Sequence, residues 1–396
     1  MARLYPFRAL RPKPEFAARI AAVPYDVVNV EEARALADGN PLSFLRVSRA
    51  ELELPGGTDP YSDGVYRRAA ENFAKLRSSA LVVEDEPSVY FYRLRMGSHT
   101  QTGLAACFSI DEYDRDIIKK HERTRPDKED DRTRHMMALH AQTGPVFLTY
   151  RATTDVDAVA DRVMTAAPLF DFEAPDHVQH TIWQVGGADR DSLVSAFSRI
   201  PALYIADGHH RAASAARART PGQDRGFVAV AFPHDQVQIL PYNRIVKDLG
   251  AQSSKPFMTA VREAFDVQPG PAAPARRGDI AMYLDGSWYT LRPRLAADRS
   301  DAIGSLDVSV LQDRLLGPIL NIQDVRTDKR IDFVGGARGT AELERLVNSG
   351  KAAVAFSLYP VSVSELMAVS DAGSIMPPKS TWFEPKLRDG LLINEI

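Results

Sequence analysis

The feature that most constrains this chain is a strand-like run, Ala202 to Ala206, that delivers the backbone into Asp207-Gly208-His209-His210-Arg211. An alanine-rich helix follows, from Ala212 to Arg219. A strand that stops and restarts as a helix needs a tight turn, which Gly208 permits. Gly226 to Phe232 is a further apolar strand, so the order strand, turn, helix, strand predicts the core of an α/β unit. The first amides of such a helix lack internal partners, and its dipole favours negative charge there. A phosphate group satisfies both conditions.

Side chains at this turn extend the argument. Arg211 offers a fork of donors suited to phosphate, and His209 and His210 add imidazole donors at the same mouth. Asp207 has two readings, the helix N-cap or the holder of a divalent cation such as Mg2+ against the bound phosphate. The histidines are either phosphate contacts or surface turn residues. They make a poor metal pair, because adjacent side chains at a helix start diverge by about a hundred degrees.

Two other segments carry candidate chemistry. Residues 119–135 form the densest charge run, and Glu122 sits in it between His121 and Arg123. Held in a desolvated pocket, that carboxylate would serve as a general base toward a hydroxyl; otherwise the run is a solvated, self-neutralising face. In Met376-Pro377-Pro378-Lys379-Ser380-Thr381-Trp382, Lys379 and two hydroxyls could hold an anion, with a rigid exposed loop or an inter-domain contact as the alternative. No glycine pattern precedes Lys379, so this is not a P-loop. There is no HExxH, CxxC pair, GxGxxG after a strand or GxSxG elbow.

The remaining sequence sets the frame. With 396 residues the chain exceeds one ordinary core, and it reads as an N-terminal α+β region 1–114, a core 115–250 and a C-terminal α+β region 251–396. The last third is expected to pack against the site or complete it. A net charge of −3 gives no field for polyanions, so nucleic acid is not an expected partner. Without an apolar leader or a membrane-length segment, a soluble cytoplasmic protein is expected. Cys107 lies in an apolar stretch and reads as a small buried hydrophobe.

Local signals predict further elements. Asn29 and Glu32 form a capping box for a helix over 30–38, and Phe44 to Val47 reads as a strand. Asp59-Pro60 starts a helix reaching about Ser78, with Val65, Ala69, Phe73 and Leu76 on one face. Val89 to Leu94 and Gly103 to Ile110 form a hairpin turning through Met96-Gly97-Ser98-His99. Residues 268–274 are the most linker-like segment, and a surface loop is equally compatible.

Along almost its whole length the chain resembles the family called domain of unknown function 1015. FRALRP, VPYDVV, NPLSFLRV, QTGLAA, KKHERTR, GPVFLTY, ADGHHRAASA and MPPKSTWFEPKL carry the likeness. Over about residues 115–235 the DGHHR turn also resembles the phosphate-binding turn of the ParB/sulfiredoxin-like fold, which includes free serine kinases. That second resemblance implies a nucleotide-binding core of that fold within an α+β or mixed α/β chain. It also implies phosphoryl transfer from ADP or ATP to the hydroxyl of free L-serine, with Glu122 as base. The segments are further apart here than in compact members.

Three functions follow for testing. The first is a kinase acting on a small hydroxyl substrate, with Asp207 holding Mg2+. The second is a nucleotide-sensing protein without turnover, acting through a partner or as a homodimer. The third, nucleic-acid binding, is opposed by Asp127, Glu129, Asp130 and Asp131 interleaved with the basic residues of the charge run.

Overall fold

Strands β2 (Val89–Met96) and β3 (His99–Ser109) form the expected hairpin, with Met96 opposite His99 and Gly97 at φ 58°. The hairpin lies within a nine-stranded mixed sheet of the computed structural model, which describes residues 1–219, 226–295, 298 and 301–396. From one edge the sheet runs β4 (Ile118–Lys119), β8 (Leu203–Asp207), β5 (Val146–Tyr150), β9 (Gly226–Pro233), β3 and β2. It continues through β7 (Val178–Val185) to β6 (Phe170–Glu173), while β1 (Leu4–Tyr5) pairs beside β3. Strands β4 and β8 are parallel, as are β5 and β9; the other ladders are antiparallel. Helices fill the connections, so the fold is mixed α/β.

The chain divides into two compact units, Met1–Val237 with Pro385–Ile396, and Gln238–Glu384. The expected three-part division sets its boundaries elsewhere, because the last twelve residues thread back into the first unit. Asp389 bridges to Ala22, Ile393 to Leu10, and Asn394–Glu395 pairs with Ala141–Gln142. These are contacts between distant segments, which local composition does not signal.

In the first unit, one apolar core includes Phe108, Leu148, Phe197, Ile205, Ala212 and Phe227. A second lies under α2 (Asp63–Ser79), where Val65, Ala69, Phe73 and Leu76 face Phe44, Leu10 and Ile393. Each fully buried side chain of this size contributes about 1.5–3 kcal/mol. Helix α1 (Val30–Ala37) carries the expected capping box, with both Asn29 and Glu32 bonds formed. Cys107 is buried in the sheet, and that burial pushes its thiol up, away from thiolate chemistry.

Two local expectations fail for physical reasons, and a third segment, open between two readings, resolves. Leu45–Ser48 is a helical turn, not a strand: Phe44 and Val47 are both fully buried three residues apart, a helical spacing. Helix α2 starts at Asp63, with Ser62 as N-cap, because the Asp59 side chain instead accepts the Tyr61 amide and closes a local turn. The 268–274 segment is not a linker between units. Gln268 and Pro269 end the edge strand Phe265–Pro269, where proline costs no ladder bond to a neighbour.

The second unit is built on a six-stranded antiparallel sheet. Its order is Phe265–Pro269, Ser287–Pro293, Ile280–Leu284, Val354–Ser357, Tyr242–Val246 and Ile331–Gly335. The helix Gly339–Asn348 packs on it through Leu343, which is fully buried with Val334 and Ala355.

Candidate functional site

Strand β8 ends with an irregularity: Ile205 pairs with Leu148 but Asp207 pairs with Phe147, so the register slips around Ala206. Such a slip re-aims the side chain that follows, here Asp207. Gly208 then turns the chain at φ 95° and is the N-cap of α6 (His209–Ala218). Two conditions hold it to glycine: the left-handed φ, and the guanidinium of Arg211, which would lie 3.0 Å from an added Cβ. No side chain caps this helix start, so Asp207 is not its cap.

Asp207 is held by two cations instead. Its Oδ2 accepts from Lys386 Nζ and from Arg211 Nη2, both at 3.3 Å. Burial would raise this carboxyl, but Lys386 and then Arg211 hold it well below the carboxylate range. Arg211 is itself buried, and its Nη1 donates to the carbonyl of Pro145. The fork therefore points into the protein. Two of its nitrogens fix the turn, while its Nε is buried without a hydrogen-bond partner and the side chain lines a small cavity.

The histidines hold the segment that carries Glu122. His209 Nε2 accepts the His121 amide at 3.4 Å, and His210 Nε2 accepts the Arg125 amide at 3.0 Å. A ring nitrogen that accepts carries no proton, which assigns the Nδ1–H tautomer to both. Burial lowers His121 to about 4, against a hydrogen bond to the Ile205 backbone and the charge of Asp207. His209 is pushed well below its usual value by burial and by His121. Both rings are neutral at pH 7, so neither offers a cation to phosphate.

His121, Glu122 and His209 come together, with one donor atom from each mutually within 4.8 Å. The charge run thus divides. Its 121–122 end enters the site, whereas α3 (Pro126–Leu139) has an outer face with Arg134 on Asp63 and Asp130 on Arg217, and buries Asp131 and His135 on its inner face. Lys379 belongs to the second unit, where its carbonyl accepts from Arg244 at 3.1 Å and its ammonium lies 5.6 Å from the Tyr242 ring centroid.

Sequence reasoning missed Lys386 and Asp389. Both lie in the returning C-terminal segment, Lys386 within the FEPKL string and 179 residues from Asp207. Asp389 sits against Gly144, whose added Cβ would lie 2.5 Å from Asp389 Oδ1, so a larger residue there would displace the Asp389 carboxylate. With Tyr25, Arg132 and Arg211, Asp389 lines a cavity of about 40 Å³, enough for about one ordered water. Burial pushes Asp389 up to about 7, opposed by Arg211. An unusual string far along the chain signals Lys386, and Asp389 follows two residues after its end.

A Mg2+ ion on Asp207 does not fit this arrangement. Lys386 and Arg211 already neutralise the carboxylate, and a third cation would place excess positive charge on one oxygen pair.

The molecule is therefore a mixed α/β protein with a polar site at a strand-to-helix turn. Residues 4–309 match the family described as protein of unknown function (DUF1015), and the chain belongs to that family. No curated protein matches it. Solved structures similar to it include a free serine kinase in complex with AMP, at 15% identity and TM-score 0.37, covering 71% of this chain and 90% of that one. Another is SbnI with a C-terminal truncation from Staphylococcus aureus, at 12% identity and TM-score 0.37, covering 72% and 85%. A conserved hypothetical protein from Pyrococcus furiosus stands at 15% identity and TM-score 0.37, covering 72% and 92%. No described helix is long and apolar enough to cross a membrane.

Proposed function

We propose that the β8–α6 turn binds the phosphates of ADP or ATP and passes a phosphoryl group to the hydroxyl of a small acceptor, L-serine being the first to test. The observation that carries this reading is the uncapped start of α6 on a positive-φ glycine, with Lys386 at its side and Glu122 beside His209. Helix amides and Lys386 would meet the charge on the transferring group. Glu122 would orient the hydroxyl and take its proton as the new oxygen–phosphorus bond forms and the bond to the nucleotide breaks. Mg2+ would arrive with the nucleotide, held by phosphate oxygens rather than by Asp207. The ParB/sulfiredoxin-like core belongs to this proposal, on the resemblance of the DGHHR turn.

Nucleotide sensing without turnover is the second reading, and the inward commitment of Arg211 favours it. Calorimetric titration with ADP and ATP tests both. Lys386→Met should weaken nucleotide binding about tenfold or more, by loss of a charge-assisted contact. Glu122→Gln should leave nucleotide affinity unchanged while turnover falls about 10²–10⁴-fold. Unaltered affinity in Lys386→Met would overturn the phosphate assignment, and unaltered turnover in Glu122→Gln would overturn the base.

A further inference from the structure

Among the described residues, one group of three potential metal ligands converges, and it is not the aspartate that the sequence offered. His121 and His209 are buried, at 2% and 6% exposure, and Glu122 is half-buried beside them. Their rings stand edge to face with centroids 4.5 Å apart, so two nitrogens and a carboxylate oxygen share one small volume. The donors lie within 4.8 Å of one another, and ligand bonds of about 2.0–2.2 Å require donors roughly 3.0–3.5 Å apart. Modest side-chain rotation closes that gap.

The surroundings resemble those of a built ligand set. The His121 ring is hydrogen-bonded to the backbone of Ile205, the kind of carbonyl contact that fixes a ligating imidazole. His209 is set at the first position of α6, and its Nε2 faces the 121–122 segment across a 3.4 Å contact, the long limit of a hydrogen bond. A metal bond would replace that weak interaction with a strong one.

We propose that His121, Glu122 and His209 form a seat for a divalent transition ion of the Zn2+ class. Two imidazoles with one carboxylate suit such ions, whereas Mg2+ prefers an all-oxygen set. The site is separate from the nucleotide-borne Mg2+ above and does not depend on phosphoryl transfer. One oxygen of Glu122 suffices as ligand, which leaves the other for an acceptor hydroxyl.

The test is titration of the full chain with Zn2+ alone, without nucleotide, followed by Co2+ loading and visible absorption. One equivalent should bind, and Co2+ should give ligand-field bands of a nitrogen–oxygen site. Glu122→Gln should weaken Zn2+ binding about tenfold or more with an unchanged circular dichroism spectrum. His209→Gln serves as the second variant and should abolish the Co2+ bands. No binding by the native chain, or equal binding by both variants, would overturn the proposal. Because nucleotide is absent, its failure is distinguishable from failure of the kinase reading.

Discussion

Arg211 in the first unit and Arg244 in the second are both buried, at 7% and 1% exposure, yet they are neutralised differently. Arg211 bonds to the carboxylate of Asp207, with Asp26 and Asp389 adding negative charge, and these hold its proton more firmly despite burial. Arg244 donates to the carbonyls of Tyr242, Pro378 and Lys379, and burial without a carboxylate pulls it down to about 10. Carbonyls can hold a side chain in place, but they bring no second charge. The first unit gathers opposite charges at a strand-to-helix turn. The second uses its arginine as an internal strut.

The largest effect should come from breaking that charge group. Arg211→Met leaves Asp389 buried beside an apolar side chain and Asp207 with Lys386 as its one cation, and should cost about 3–5 kcal/mol. Arg244→Met leaves only carbonyls short of a partner and should cost about 1–3 kcal/mol. Urea unfolding of both variants measures the difference; equal losses would remove the distinction between the two units. Arg211→Ala would therefore mix a loss of stability with any loss of activity.

Acidification should separate the units next. All nine histidines lie before residue 238, so the second unit contains none. Burial pushes His121 and His135 to about 4, while an unfolded histidine titrates near 6.5. Between those values the unfolded chain binds more protons, so stability falls as pH drops from 7 toward 4, by up to about 3 kcal/mol per ring. Asp389, raised to about 7, opposes this, because its folded form keeps a proton that the unfolded carboxyl releases. In the second unit Asp307, raised to about 6 by burial, contributes in the same stabilising direction on acidification. Hydrogen exchange at pH 7 and pH 5 should therefore show lost protection in first-unit peptides, steeper in Asp389→Asn. Equal loss in residues 238–384 would contradict this assignment.

The parts legible in the sequence were those closed by short-range contacts. The capping box at Asn29 and Glu32, the hairpin across Gly97-Ser98 and the Gly208 turn each involve neighbours within a few residues. Phe44 to Val47 was misread because four apolar-rich residues fit either period, and burial of Phe44 and Val47 decided for a helical turn. At the site, Asp207 to Arg211 marked the place but not the direction of each group. Arg211 turned inward because Pro145 and Asp207 accept from its two terminal nitrogens there, and Lys386 arrived from the far end of the chain.

The central claim is phosphoryl transfer at this turn, and phosphorus NMR tests it most directly. The native chain would be incubated with Mg2+, ADP or ATP, and a pool of hydroxy amino acids led by L-serine. The expected result is a new phosphomonoester resonance that the Glu122→Gln protein does not produce. Nucleotide resonances that broaden without any new product, across the whole pool, would contradict it and leave a protein that binds nucleotide without turning it over.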